Sequence, residues 1–289
     1  LKKYSIFNKA GSFSYANILQ TARDFERVKN VILPEDEYKG VQAYTTYYYQ
    51  YFFTMLVMMF VIYDMFAQRD NGMWSITYSC ANGRIMYAIK QTGVIVVTGA
   101  FTHTLIYWST FIAAMLQRGG VRDLVNPVQT IETFDKFTYP WSKIKYVTVL
   151  YMISMVCIVA LCITIWGVFV IFRNRVYALV TMLIFAAVEQ FIYSHIDIHS
   201  VWNGLHYINI INIININATF SSYRNWGVGT YVFPVFSVVL FVHIICAGVI
   251  GYIAINVSAS MKPYKNTTFI KRFTDCVSAG CQKILARIP

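Results

Sequence analysis

The chain has 289 residues, of which 57% are hydrophobic and 13% charged. Soluble domains carry roughly 25% charged residues, so an ordinary soluble fold is excluded. The net charge of +11 does not call for nucleic acid, because basic residues beside membrane spans set topology and meet anionic lipid. The six cysteines show no CxxC pairing, so neither a disulfide framework nor a zinc site is implied.

Residues 1–43 hold the densest charge, with Lys2, Lys3, Lys9, Arg23, Arg27, Lys29 and Lys39 among acids such as Asp24, Glu26 and Glu35. Ile18, Leu19, Ala22, Phe25 and Val28 recur at helical spacing, which predicts an amphipathic helix ending before Pro34. Five uncharged or nearly uncharged runs follow, each long enough to cross a bilayer. They lie at about 44–65, 92–116, 146–172, 176–193 and 230–255. A tyrosine cluster (Tyr44, Tyr47, Tyr48, Tyr49, Tyr51) opens the first and reads as a headgroup anchor. Ala247 and Gly251 in the last form a small-xxx-small pair suited to close helix approach. The fold class is therefore an all-α polytopic membrane protein.

The polar stretch 66–90 between the first two spans has two glycines and an Arg–Lys finish. Placing it in the cytoplasm also places the Arg173/Arg175 turn and the basic tail 257–289 there, and the weighting of short loops favours this orientation. Residues 1–43 are then external. Five spans with an internal C-terminus imply a further membrane helix ahead of the chain as given.

Polar residues within the spans are functional candidates because a charge at mid-helix costs about 2.5–3.5 kcal/mol on insertion scales. His103 and His243 lie deep in their spans. Glu189 falls nearer the outer interface. Glu189, His195, Asp197, His199 and His206 are the residues whose types suit a metal site. His195 and His199 share a helix face, but Asp197 points away and nothing completes a ligand set, so no metal is expected. Asn209, Asn212 and Asn215 recur through the isoleucine-rich segment 195–229, which predicts one or two short helices in the outer leaflet, with a strand as the alternative. Of three N-x-[ST] sequons, only Asn217 is placed where glycosylation is possible.

Asp70-x-Gly72, then Gly83-Arg84, then Lys90 entering a span resembles the loop between the second and third helices of type-two ABC transporter permeases. Gln68 stands where that family often has an acid. The order of spans, the short basic turn and the external loop before the last helix are also similar to the family. This resemblance implies the transmembrane-domain architecture of a type-two ABC exporter, with the missing helix as the family's first. It implies that Asp70, Gly72, Trp74, Gly83, Arg84 and Lys90 couple to an ATPase, with Trp74 as an anchor in its cleft. His103, Glu189 and His243 become candidates for a translocation path. The chain has no G-x-x-x-x-G-K-[ST] and binds no cofactor of its own. ATP and Mg would sit on two partner ATPase subunits, beside a second permease, identical or related. The setting implied is a bacterial cytoplasmic membrane, with lipid and no nucleic acid as partners. The chain itself is then not an enzyme. The alternatives are a non-catalytic membrane subunit of a larger assembly, such as a respiratory complex, and an intramembrane metal enzyme.

Overall fold

The computed structural model describes every residue except 1–11, 36, 38, 47–48, 71–82, 173, 197–201, 229 and 261–289. Five helices are long and apolar enough to cross a membrane. They are α3 (Tyr49–Asp70), α4 (Gly83–Arg118), α5 (Lys143–Ile171), α6 (Arg175–His195) and α10 (Val235–Ser260). The chain is a polytopic, mostly helical membrane protein. Shorter elements are α1 (Phe13–Glu26), α2 (Gly40–Thr46), α7 (Asn203–Ile208), α8 (Ile211–Ile214), α9 (Ile216–Ser221), and a hairpin of β1 (Asn225–Val228) and β2 (Tyr231–Pro234).

The bundle is built around α5. Its mean hydropathy as a span is the highest along with that of α10, and most of its length is buried by α3, α4 and α10. Trp166, Phe169, Tyr146 and Leu150 from α5 meet Met58, Ile62 and Phe66 from α3 in one continuous core. Small residues set the helix spacing. A Cβ on Gly167 would overlap Ile250 of α10, and one on Gly251 would reach Ile163 of α5 at 3.0 Å. Ala247 and Gly251 are both buried there, so the small-xxx-small pair receives a helix of the same chain. On the α4 side a Cβ on Gly99 would sit 2.7 Å from Cys162 Sγ. By contrast α6 is mostly exposed, with Tyr177, Ile184 and Phe191 facing outward as lipid contact requires.

The spans differ from their predicted bounds at informative places. The first run divides into α2 and α3, and two of the tyrosines expected at the headgroups, Tyr44 and Tyr51, are buried, while the side chains of the other three lie outside what the structure describes. The two buried rings have aromatic partners, Tyr107 and Phe111 for Tyr44 and His103 for Tyr51, and that packing outweighs an interfacial position. The last span, predicted from about 230, starts later, and Pro234 lies before it. The proline closes β2, where a missing N–H is tolerated at a strand edge, and α10 begins at Val235. At 36 residues α4 is the longest helix, about 54 Å at 1.5 Å per residue against a hydrocarbon core of about 30 Å. It takes in Gly83, Arg84 and Lys90, leaving 71–82 between α3 and α4.

One end of the bundle carries a cap. α1 lies on the hairpin through the stack of Phe13 over Gly227 and the edge contact of Phe25 with Tyr223 at 5.1 Å. The helix predicted from Ile18, Leu19, Ala22 and Phe25 forms, but polar Asn17 and Asp24 dock together with Phe13 and Phe25. Asp24 is buried while Ile18 and Leu19 stay exposed. The reason is hydrogen bonding: Tyr223 Oη donates to Asp24 at 3.0 Å, and Asn225 Nδ2 donates to Asn17 at 2.8 Å. Residues 119–142 form three short 3-10 turns that close over the head of α5.

Candidate functional site

The residues singled out in the sequence fall into three places. The first is the junction of α3 and α4. Gly72 and Trp74 lie outside the described residues. Asp70 ends the described part of α3, Gly83 and Arg84 sit in the first turn of the described part of α4, and exposed Lys90 lies two turns further in. Arg84 is engaged by neighbouring groups. At the same end of the bundle the guanidinium of Arg175, at the head of α6, stacks over the ring of Tyr63 of α3 at 4.7 Å. Arg173 lies outside the described residues.

The second place is the middle of the bundle. His103 of α4 is 1% exposed. Its imidazole lies nearly parallel to Tyr151 of α5, with centroids 6.0 Å apart, and near-parallel to Tyr51 of α3 at 5.8 Å. Tyr107, one turn on, completes the aromatic surround at 5.6 Å. His103 Nε2 lies 2.8 Å from Ser154 Oγ. Around this ring runs a chain of polar contacts between helices. Thr110 donates to Gln50 at 2.9 Å, Gln50 donates to Tyr44 Oη at 3.3 Å, and Tyr107 Oη donates to the Val147 carbonyl at 2.7 Å. Thr104 meets Tyr151 Oη at 2.8 Å. Each contact crosses between elements, so together they fix the register of α3, α4 and α5.

The third place is the cap end of α6. Glu189 is held rather than free: its carboxylate accepts from the Ile210 amide at 3.1 Å, and its own carbonyl accepts from Asn209 Nδ2 at 2.6 Å. The segment it holds is three short helices, not one or two. Three of its asparagines, Asn209, Asn212 and Asn217, are buried. Asn212 Nδ2 donates to the carbonyls of His206 and Tyr207 at 2.6 and 3.1 Å, ending α7. Asn217 accepts from Tyr146 Oη at 2.6 Å and donates to the Thr45 carbonyl, joining α9 to α5 and α2. Short helices leave backbone groups unpaired at each end, and these side chains supply partners for them. Asn217 is 7% exposed, so its sequon is closed to glycosylation in the folded chain. This corrects the sequence reading.

His243 of α10 is half-buried and its Nδ1 donates to the Val239 carbonyl at 2.8 Å, one turn back in the same helix. His195 does likewise to Phe191 at 3.0 Å while exposed, and His206 stacks on Tyr193 at 4.6 Å. Asp197 and His199 lie outside the described residues. Among the described residues no three His, Cys, Asp or Glu side chains come together as a metal site would need. His103 stands apart from the other two in the interior, whereas Glu189 at the cap lies close enough to His243 of α10 for their charges to interact.

Sequence reasoning passed over Ser154, and it gave Tyr51 and Asn217 other roles, a headgroup anchor and a sequon. Ser154 left a legible trace as the one serine in the uncharged run 146–172. Tyr51 was masked by the tyrosines around it. No family model, curated protein or solved structure matches the chain.

Proposed function

We propose that the chain is the transmembrane permease subunit of an ATP-driven exporter of the type-two ABC class. The observation that carries this reading is the placement of 71–82 as a short polar segment between two spans. It is bounded by Asp70 on one side and by Gly83, Arg84 and Lys90 at the head of an extended α4 on the other. A separate ATPase that gripped Trp74 and its neighbours would transmit force into α3 and α4 together, because both pack on α5. Closure of two such ATPase subunits over ATP and Mg would then rock the bundle between two states. A second permease, identical or related, completes the path for a peptide, lantibiotic, drug or lipid-like substrate in a bacterial cytoplasmic membrane. His103 and Glu189 hold the permease's own fold in this account, and half-buried His243 is the polar span residue assigned to the side of the path.

The test is coupling. Trp74→Ala and Gly72→Leu should leave the amount of protein in the membrane unchanged while lowering substrate-stimulated ATP hydrolysis by the complex about tenfold, as the loss of one interface anchor worth about 1.4 kcal/mol or more would do. Unchanged stimulation in both variants would count against the assignment of 71–82.

A further inference from the structure

We infer that the cap carries a binding site for a phosphate group, in a cleft between α1, the turns of 119–142 and the base of the hairpin. The cleft measures about 370 Å³ counted with its open mouth, and its charged lining residues are Asp24, Lys136 and Arg224. Asp24 is already neutralised. Its carboxylate pairs with Arg27 at 3.3 Å and accepts from Tyr223 Oη at 3.0 Å and from Gln20 Nε2 at 3.1 Å. Lys136 and Arg224 are exposed, and among the described residues neither side chain has an ion pair or a hydrogen bond. The cleft therefore keeps two positive charges that nothing in the described chain offsets.

The neutral polar groups of the lining sort by where their protons go. Ser221 and Ser222 donate to the carbonyls of Ala218 and Thr219, and Asn225 gives its amide protons to Asn17 and Tyr223. Thr138 differs. It lines the cleft and is 5% exposed, yet its hydroxyl has no partner among the described residues. Buried polar side chains in native proteins are almost all paired, so this one points to a group that the chain does not supply. An ammonium, a guanidinium and a hydroxyl thus line one cleft with nothing to donate to and no free carboxylate beside them. A phosphate group answers all three, because its oxygens are arranged tetrahedrally and its charge offsets both cations. A carboxylate has only two oxygens in one plane, and a metal ion would meet two like charges. Phe236, in the first turn of α10, lines the same cleft, which places the site at the end of a membrane span. Two sources carry this chemistry, a phospholipid headgroup and free phosphate. This assignment does not rest on the ATPase reading and survives its failure.

Thermal unfolding of the full chain in dodecyl maltoside, an uncharged detergent, tests it with three probes. These are inorganic phosphate, dioctanoyl phosphatidic acid, and dioctanoylglycerol, which has the same chains and no phosphate. Phosphatidic acid should raise the unfolding midpoint and dioctanoylglycerol should not. In the double variant Lys136→Gln, Arg224→Gln the concentration giving half the rise should increase about tenfold or more. Both positions are exposed, so the variant keeps its fold. The control Lys29→Gln, Arg122→Gln removes the same charge from exposed residues outside the cleft and should shift that concentration less than about twofold. A rise with inorganic phosphate too shows that free phosphate suffices, whereas a rise with phosphatidic acid alone assigns the site to a lipid headgroup. No rise with either phosphate probe, an equal rise with dioctanoylglycerol, or equal responses in the two double variants would each overturn the proposal.

Discussion

Asn217 illustrates how single polar side chains carry this fold. It joins the Tyr146 hydroxyl to the Thr45 carbonyl, three elements through one amide. Asn217→Ala would leave both groups buried and unpaired, at about 1–3 kcal/mol each. Thermal unfolding in detergent should show a loss of about 2–6 kcal/mol. Exposed Asn256→Ala, which gives up one bond within its own helix, should stay within about 0.5 kcal/mol of the parent. The asparagine spacing was visible in the sequence, but its meaning was not. Periodicity reports which face a residue shares and cannot say that the face meets backbone carbonyls rather than lipid. Tyr223 makes a prediction of another kind. Burial pushes its hydroxyl above the ordinary value of 10.0, with the Asp24 carboxylate it donates to adding to the rise. The bound, neutral form is thus favoured in the docked state. As pH rises past 10.0 the undocked phenol ionises first, so α1 should release from the hairpin. Limited proteolysis at the 27–39 linker should accelerate above that pH in the native chain. In Tyr223→Phe it should be faster at neutral pH and lack this alkaline step.

Helix spacing is set by glycines whose importance differs with what they face. A Cβ on Gly40 would drive into the Gly119 carbonyl, backbone that cannot swing aside, whereas Gly248 of α10 has open space around it. Gly40→Ala should therefore destabilise by about 1–3 kcal/mol, the range for overpacking, while Gly248→Ala should be neutral or gain up to about 1 kcal/mol from helix propensity. Equal effects in unfolding assays would refute this contrast. At this scale the sequence was most readable where a single physical demand dominates. Uncharged runs such as Tyr146 to Phe172 placed α5 within a turn of its true ends, because only a helix satisfies its backbone in lipid. Readability failed where two demands compete. Around Pro234 a strand interrupts an apolar run, and Tyr44 and Tyr51 choose aromatic packing over the interface. The mixed docking face of α1 was hidden for a related reason. Its amphipathic pattern marks two faces without saying that polar Asn17 and Asp24 dock alongside Phe13 and Phe25.

Across the whole molecule, α5 is a rod enclosed by α3, α4 and α10, while α6 leans on the bundle at its two ends through Arg175 and Glu189. The extended α4 connects the residues beside 71–82 to the polar centre at His103 and then to the cap, so displacement at its head would be felt along its length. The five-span architecture came from composition alone. The coupling assignment came from a short motif, of which Gly72 and Trp74 lie outside the described residues. That assignment is best tested from the segment itself. A photo-crosslinking amino acid placed at Trp74 in cells, followed by identification of the captured product, reads out the partner directly. The account predicts a soluble ATPase containing G-x-x-x-x-G-K-[ST], captured in the cytoplasm at a ratio near one per permease. Labelling of position 74 by a membrane-impermeant reagent from outside the cell, or capture only of other membrane subunits with no nucleotide-hydrolysing protein, would contradict it.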